Sequence, residues 1–318
     1  MESMITVFGS ANMDLVAYVK KAPDLGETVT GREFRTICGG KGANQAIASA
    51  LAGGDVRFVG AVGSDGFGAE LRAALDRSGV DTGGLRTAEG PSGVAHIVVE
   101  DGGANSIIVV PGANGKVTPE DARTVSGTAP HGRCADSGAE GRATDALLLQ
   151  LELPMPAVVA AARAFSGLVV LTPAPVVPLP RELLDAVGLL LPNEHEAAAI
   201  TGLTAPEEAL EALLTLVPEV VVTLGADGAI YGSRDGSRLR VPGRPVEAID
   251  TTAAGDTFAG AFTVARTEGR TAKEALEFAT AAAALSVRRP GASTSMPTRA
   301  EIDAEAGRGR PEAGRGSR

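Results

Sequence analysis

An α/β fold, with a central and mostly parallel sheet covered by helices on both faces, follows from three features of this 318-residue chain. Apolar runs of strand length at 57–62, 146–151, 168–171, 189–191 and 220–224 alternate with Ala- and Leu-rich helical stretches. Such alternation builds three-layer α/β/α architectures with a parallel sheet buried on both sides. The first run, Ile5-Thr6-Val7-Phe8, stops at Gly9-Ser10-Ala11-Asn12-Met13-Asp14, so polar residues arrive at a strand's carboxyl end, where open α/β sheets bind ligands. Two segments break the rhythm: 27–34, and the pair 94–100 and 106–110 joined by Asp101-Gly102-Gly103-Ala104-Asn105, which reads as an antiparallel hairpin. Strands without intervening helices predict a small projecting β-sheet, a lid drawn from about 15–38 and 93–111, which can also pair with its copy in a dimer.

Composition narrows the function. With 44% hydrophobic and 21% charged residues the chain can bury one large core, expected over residues 1–300. A formal charge of -10 argues against nucleic-acid or anionic-membrane partners, which require a basic face. Cys38 and Cys134 form neither a CxxC pattern nor a disulfide framework, so a reducing cytoplasm is the expected location. His96, His131 and His195 stand apart from one another, which argues against a histidine metal site. The stretch 126–144 has no large aliphatic or aromatic residue and is expected to be a surface loop, while 301–318 is expected to form a frayed basic tail.

Asp250-Thr251-Thr252-Ala253-Ala254-Gly255-Asp256-Thr257-Phe258 carries the chemistry. Phe258, Ala261, Phe262 and Ala265 recur at helical spacing, so a helix opens here and aims unpaired N–H groups and partial positive charge at whatever precedes it. Small side chains at Ala253, Ala254 and Gly255 admit an anion such as a transferring phosphoryl group. Asp256 at that mouth could take a proton from an attacking hydroxyl, and the positive helix end predicts a lowered carboxylate pKa. An ordinary capped helix start is the plain alternative.

Gly39-Gly40-Lys41-Gly42-Ala43-Asn44-Gln45-Ala46 sets glycines and a lysine before a helical run at 43–51. It does not follow the phosphate-loop or dinucleotide patterns. It suits a polyol cradle in which Asn44 and backbone amides bond hydroxyls while Gly40 and Gly42 leave room, or simply a glycine-rich turn. Asn12 and Asp14 offer donor and acceptor groups for vicinal hydroxyls, or a capped turn. Glu152 follows a buried strand, where a carboxylate needs a ligand or partner. Asn193 can cap a helix with Glu194 and Glu196 in its first turn, and Asn193 and Glu196 can also face a nucleotide with hydrated magnesium. Thr223-Leu224-Gly225-Ala226-Asp227-Gly228 is a tight turn or a wall for nucleotide phosphates and ribose.

Together these segments resemble the ribokinase branch of the PfkB family of sugar and nucleoside kinases, from Ile5 to about Pro297. The glycine motif and the Asp-Thr-x-Ala-Ala-Gly-Asp-Thr-Phe motif stand in that family's order. Asn12-x-Asp14, Pro23-x-x-Gly26-Glu27-Thr28-Val29, Gly112-Ala113-Asn114 and Leu151-Glu152 add to the match. The resemblance implies that Asn12, Asp14, Gly40, Lys41, Gly42, Ala43, Asn44 and Glu152 hold D-ribose. It implies that Asp256 deprotonates the 5-hydroxyl and that 253–256 form an anion hole. ATP would lie along Asn193, Thr223 to Gly228, Gly255, Asp256 and Thr280, with Glu196 near Mg2+. A potassium ion would sit at Asp250, Thr252, Ser286, Arg289, Gly291 and Ser295, and the projecting sheet would pair two subunits. Thr172 and Thr280 depart from the Asn, or Asn and His, usual at those positions, which predicts weaker ATP contacts. Two alternatives are a kinase of the same family acting on deoxyribose, a nucleoside or another sugar, and a catalytically silent sugar-binding protein.

Overall fold

The computed structural model describes residues 3–125 and 145–307. In chain order the elements are β1 (Met4–Phe8), β2 (Asn12–Val19), β3 (Glu33–Gly39), α1 (Lys41–Leu51), β4 (Asp55–Gly63), α2 (Gly66–Arg77), β5 (Asp81–Ala88), β6 (Gly93–Glu100) and β7 (Asn105–Val110). They continue as β8 (Ala146–Leu149), α3 (Met155–Ala164), β9 (Leu168–Leu171), α4 (Arg181–Leu184), β10 (Leu189–Leu190), α5 (Glu194–Thr201), α6 (Pro206–Leu214) and β11 (Glu219–Thr223). The last are β12 (Ala229–Ser233), β13 (Arg238–Val241), α7 (Ala254–Thr267), α8 (Ala272–Ser286) and α9 (Arg299–Gly307).

The main sheet has nine strands in the order β13-β12-β11-β10-β9-β8-β1-β4-β5. It is parallel from β5 to β11, and β12 and β13 add antiparallel at one edge. Alternation along each strand sends side chains to two cores, as a sheet buried on both faces requires. Ile5, Val7, Leu148, Val170, Leu189 and Val221 pack with Phe258, Phe262 and Phe278 of α7 and α8. Phe8, Leu147, Leu149, Leu171, Leu190 and Val222 pack on the other face with Val158 of α3, Leu183 of α4 and Leu210 and Leu213 of α6.

The small sheet runs β3-β2-β6-β7, and its β6–β7 pairing is the expected hairpin. Several boundaries differ from the sequence reading. Asn12 and Asp14 belong not to a turn after β1 but to the start of β2, paired to β3 and β6. No β-strand occupies 20–32, and pairing resumes only at Glu33. The break expected at 27–34 is thus mostly loop, because Gly26 adopts φ 82 and Pro23 lacks a ladder donor. Helix α1 starts at Lys41, two residues before the expected run. Residues 301–307 belong to α9, where Ile302 docks into the core; the rest of the expected tail and the 126–144 loop lie outside the described residues. No described helix is long and apolar enough to cross a membrane.

Candidate active site

The carboxyl ends of β9, β10 and β11 converge with the start of α1 and the start of α7 on a cleft of about 200 Å³. Its walls include Lys41, Asn193, Glu196, Thr223, Thr251 and the turn Ala253 to Asp256. The α7 entry is built as the sequence suggested. Ala253 holds φ 58, the left-handed region unfavourable to a residue with a Cβ. Strain of this kind persists where the surroundings enforce it and is common at functional sites. The N–H of Ala254 is taken by Thr251 O at 3.2 Å, so it is not free for an anion. Those of Gly255 and Asp256 have no partner among the described residues. A Cβ built at Gly255 meets nothing within 4 Å, so the helix start borders open space at that residue.

Asp256 accepts hydrogen bonds from two side chains of α1: Asn44 Nδ2 to Oδ2 at 3.1 Å and Gln45 Nε2 to Oδ1 at 3.0 Å. Burial pushes its pKa up. The Lys41 charge and the Asn44 and Gln45 hydrogen bonds act downward without reversing the shift, and Glu152 adds to it. The expectation of a lowered pKa is therefore overturned. Desolvation of the carboxylate outweighs the helix end, whose influence is modest and local.

Around Asp256 stands a cluster of like charge with one cation inside. Burial raises the pKa of Asp14 to about 7, helped by Glu152 and Asp256 and opposed by Lys41. Burial pulls the Lys41 ammonium down, but Asp256, Glu152, Glu196 and Asp14 together hold it above the usual lysine value. Glu152 Oε2 accepts from the Lys41 N–H at 3.0 Å and from the Ser10 hydroxyl. Asn12 Oδ1 accepts from Asn114 Nδ2 at 2.7 Å, and Asn114 also bonds both backbone groups of Ala11. Asn44 Oδ1 is buried without a partner in the described structure, an acceptor that a ligand hydroxyl can satisfy.

The glycines of this motif are needed for close packing. Cβ atoms on Gly39, Gly40 and Gly42 would come within 2.2 Å of Asp14 Oδ2, 2.7 Å of Asn12 N and 2.5 Å of Ser10 N. They let the start of α1 pack against the β1–β2 connection, beside Asp14.

Of the readings of Asn193 and Glu196, the helix cap is observed directly. They form a reciprocal cap, with Glu196 N donating to Asn193 Oδ1 at 2.8 Å and Asn193 N to Glu196 Oε2 at 2.9 Å, and both line the cleft. Thr223 pairs with Asn193 in an isolated bridge, and the turn Leu224 to Gly228 closes through Leu224 N to Gly228 O at 2.8 Å. Leu224 to Gly228 lie beside the cleft rather than in its lining. Thr280 is buried in α8 with an unpartnered hydroxyl. Thr172 lines the cleft beside Gln45, to whose amide it is bonded at 3.0 Å.

The loop before α7 folds onto the segment after α8. Asp250 Oδ1 accepts from Thr252 N at 2.9 Å and Oδ2 from Gly291 N at 2.8 Å. Burial opposes the Asp250 charge, but these bonds and Arg35 hold its pKa below the usual range. The carbonyls of Thr252, Arg289 and Gly291 accept no hydrogen bond among the described residues. Ser286 and Ser295 donate their hydroxyls to Ala283 O and Ala292 O.

Sequence reasoning passed over Gln45 as a contact of Asp256, and Ser10, Asn114 and Gln150 as members of the network. Gln45 had a signal: Lys41, Asn44 and Gln45 fall at i, i+3 and i+4, one face of a helix. Ser10 lay in the polar run after the first strand and Asn114 in the Gly112-Ala113-Asn114 motif, but their partners are remote in the chain and no local pattern names them.

A pocket of free backbone N–H donors at a helix mouth, a flanking base and a cation between carboxylates, set on a doubly covered sheet, define a small-molecule kinase. The chain belongs to the pfkB family of carbohydrate kinases, whose model matches residues 2–299. It is 40% identical to a ribokinase of Bacillus subtilis, over 94% of this chain and 98% of that protein, and 39% identical to one of Haemophilus influenzae, over 95% and 97%. The structure of an Arabidopsis thaliana ribokinase complexed with ribose and ATP superimposes with a TM-score of 0.84 at 33% identity, covering 96% of this chain and 99% of that one.

Proposed function

We propose that this kinase transfers the γ-phosphoryl group of ATP to the 5-hydroxyl of D-ribose, giving ribose 5-phosphate and ADP. The observation that carries the chemistry is Asp256, held by two amide donors beside the free N–H groups of Gly255 and Asp256. Similarity to ribokinases over nearly the whole chain supports the choice of sugar. Asp256 takes the hydroxyl proton as the oxygen attacks phosphorus and the bond to ADP breaks. The helix-mouth amides and Lys41 bear the negative charge of the moving phosphoryl group. Asn12, Asp14, Asn44 and Glu152 bind sugar hydroxyls from the small-sheet side. Asn193 and Thr223 bound the nucleotide side, with the Leu224 to Gly228 turn and Thr280 beside them.

Two ions fit the residues present. The ionised Asp250 and the free carbonyls of Thr252, Arg289 and Gly291 form a hard oxygen set suited to K+, with Ser286 and Ser295 on the same segment. Glu196 keeps oxygen capacity beyond its cap and can hold hydrated Mg2+ through water. Mg2+, when bound, neutralises phosphate charge. A homodimer through the small sheet and a cytoplasmic location complete the reading.

A coupled ADP-release assay across ribose, deoxyribose, fructose and nucleosides, with potassium or sodium, tests it. The expected result is turnover highest with ribose and higher in potassium. Activity confined to a nucleoside or to deoxyribose would overturn the substrate, and equal rates in both salts would remove the cation site.

A further inference from the structure

Beneath the base lies a buried chain of side-chain hydrogen bonds that runs from Gln150 through Gln45 to Asp256. Gln150 Nε2 donates to Gln45 Oε1 at 2.6 Å. Gln45 Nε2 donates to Asp256 Oδ1 and to Thr172 Oγ1, each at 3.0 Å, and the Thr172 hydroxyl passes its own proton to Leu149 O at 3.2 Å. Gln45 and Gln150 are each 1% exposed, so water cannot replace a lost partner. With Oε1 engaged by Gln150, the Gln45 amide can present only N–H to Asp256. Turned over, it would set oxygen against carboxylate oxygen; turning Gln150 as well, whose Oε1 has no partner among the described residues, would not relieve that conflict.

We propose that Gln45, oriented by Gln150, is a positioning residue for phosphoryl transfer: it sets the plane of the Asp256 carboxylate so that an open lone pair faces the sugar hydroxyl. The proposal rests on Asp256 being the base. Asn44 holds the other carboxylate oxygen, so the two consecutive residues of α1 clamp the group from one side. Their N–H donors also favour the ionised carboxylate inside a site that disfavours it. The charges facing Asp256 are Lys41 of α1, Glu152 beyond β8 and Asp14 of β2, with Glu196 of α5 acting on Lys41. Replacing Gln45 with an uncharged residue alters none of them.

The test is the pH profile of kcat, with KM for ribose, for wild type, Gln45→Met and Asp256→Asn. Gln45→Met keeps the volume and removes the donor. Its kcat should fall about 10- to 100-fold with ribose KM within about 3-fold, and its acidic limb should move up by about one pH unit. A stability loss with the limb unmoved would mark a merely structural role and overturn the proposal. A wild-type profile in Gln45→Met beside an inactive Asp256→Asn would overturn this inference alone, whereas full turnover in Asp256→Asn would overturn the base assignment with it. Should Gln45→Met fail to fold, Gln150→Met, one bond further from the base, must shift the limb in the same direction by a smaller amount. An unmoved limb there refutes the proposal.

Discussion

Asp14 and Asp256 show how one cluster assigns different work to identical side chains. Asp256 is met by two amide donors and lies near Lys41, so it is the better placed to ionise and accept a proton. Asp256→Asn should leave ribose binding nearly intact and lower kcat by about 10²-fold or more, measured by calorimetry and steady-state rates. Asp14 has no such donors among the described residues, and its folded pKa of about 7 exceeds the ordinary aspartate value of 3.8. Between those values the folded state binds the extra proton, so this group's contribution to stability falls as pH rises from about 4 to 7. The penalty reaches at most roughly 4 kcal/mol above pH 7. Asp14→Asn should therefore raise the melting temperature of the ligand-free protein at pH 8 more than at pH 5, while weakening ribose binding. An equal change at both pH values would refute the assignment.

The two helices that meet at the cleft use glycine for opposite ends. In the first turn of α1, a Cβ on Gly42 would come within 2.5 to 2.7 Å of Ser10 and Gly9 backbone atoms, which cannot withdraw without separating α1 from β1. Gly42→Ala should cost about 1–3 kcal/mol by overpacking, read in chemical denaturation. At the start of α7, Gly255 faces open space. Gly255→Ala should keep or raise stability, by up to about 1 kcal/mol, yet reduce kcat/KM for ATP because its methyl enters the volume that the phosphate needs. Stability loss at Gly255 with normal turnover would contradict the anion-hole assignment.

Across the molecule, the main sheet is covered on both faces but the small sheet is not. On its edge strand β7, Ile107, Ile108, Val109 and Val110 are 46–67% exposed, and Phe34 of β3 is 63% exposed. A flat apolar edge of this kind invites pairing. A second copy of the chain is the occupant we expect. Sedimentation should find two chains per particle for the wild type and one for Ile108→Lys, which adds charge without touching either core. A wild type that sediments as one chain would remove the dimer.

How much could be read without coordinates depended on the range of the forces involved. The layers were legible, because the unbroken apolar run at 168–171 and the helical spacing from Phe258 to Ala265 are local consequences of how each element is buried. The helix mouth at Ala253 to Asp256 was legible for the same reason. The hydrogen bond from Gln45 to Asp256 spans 211 positions in the chain, so its existence followed only once parallel strand ends had gathered α1 and α7. The pKa of Asp256 was misjudged because a helix terminus is written locally, whereas burial among Asp14 and Glu152 exists only in three dimensions. Residue order thus settled which elements form and which polar groups sit at their ends. Folding alone decided the electrostatics, since desolvation and mutual repulsion among carboxylates depend on which remote segments exclude water together.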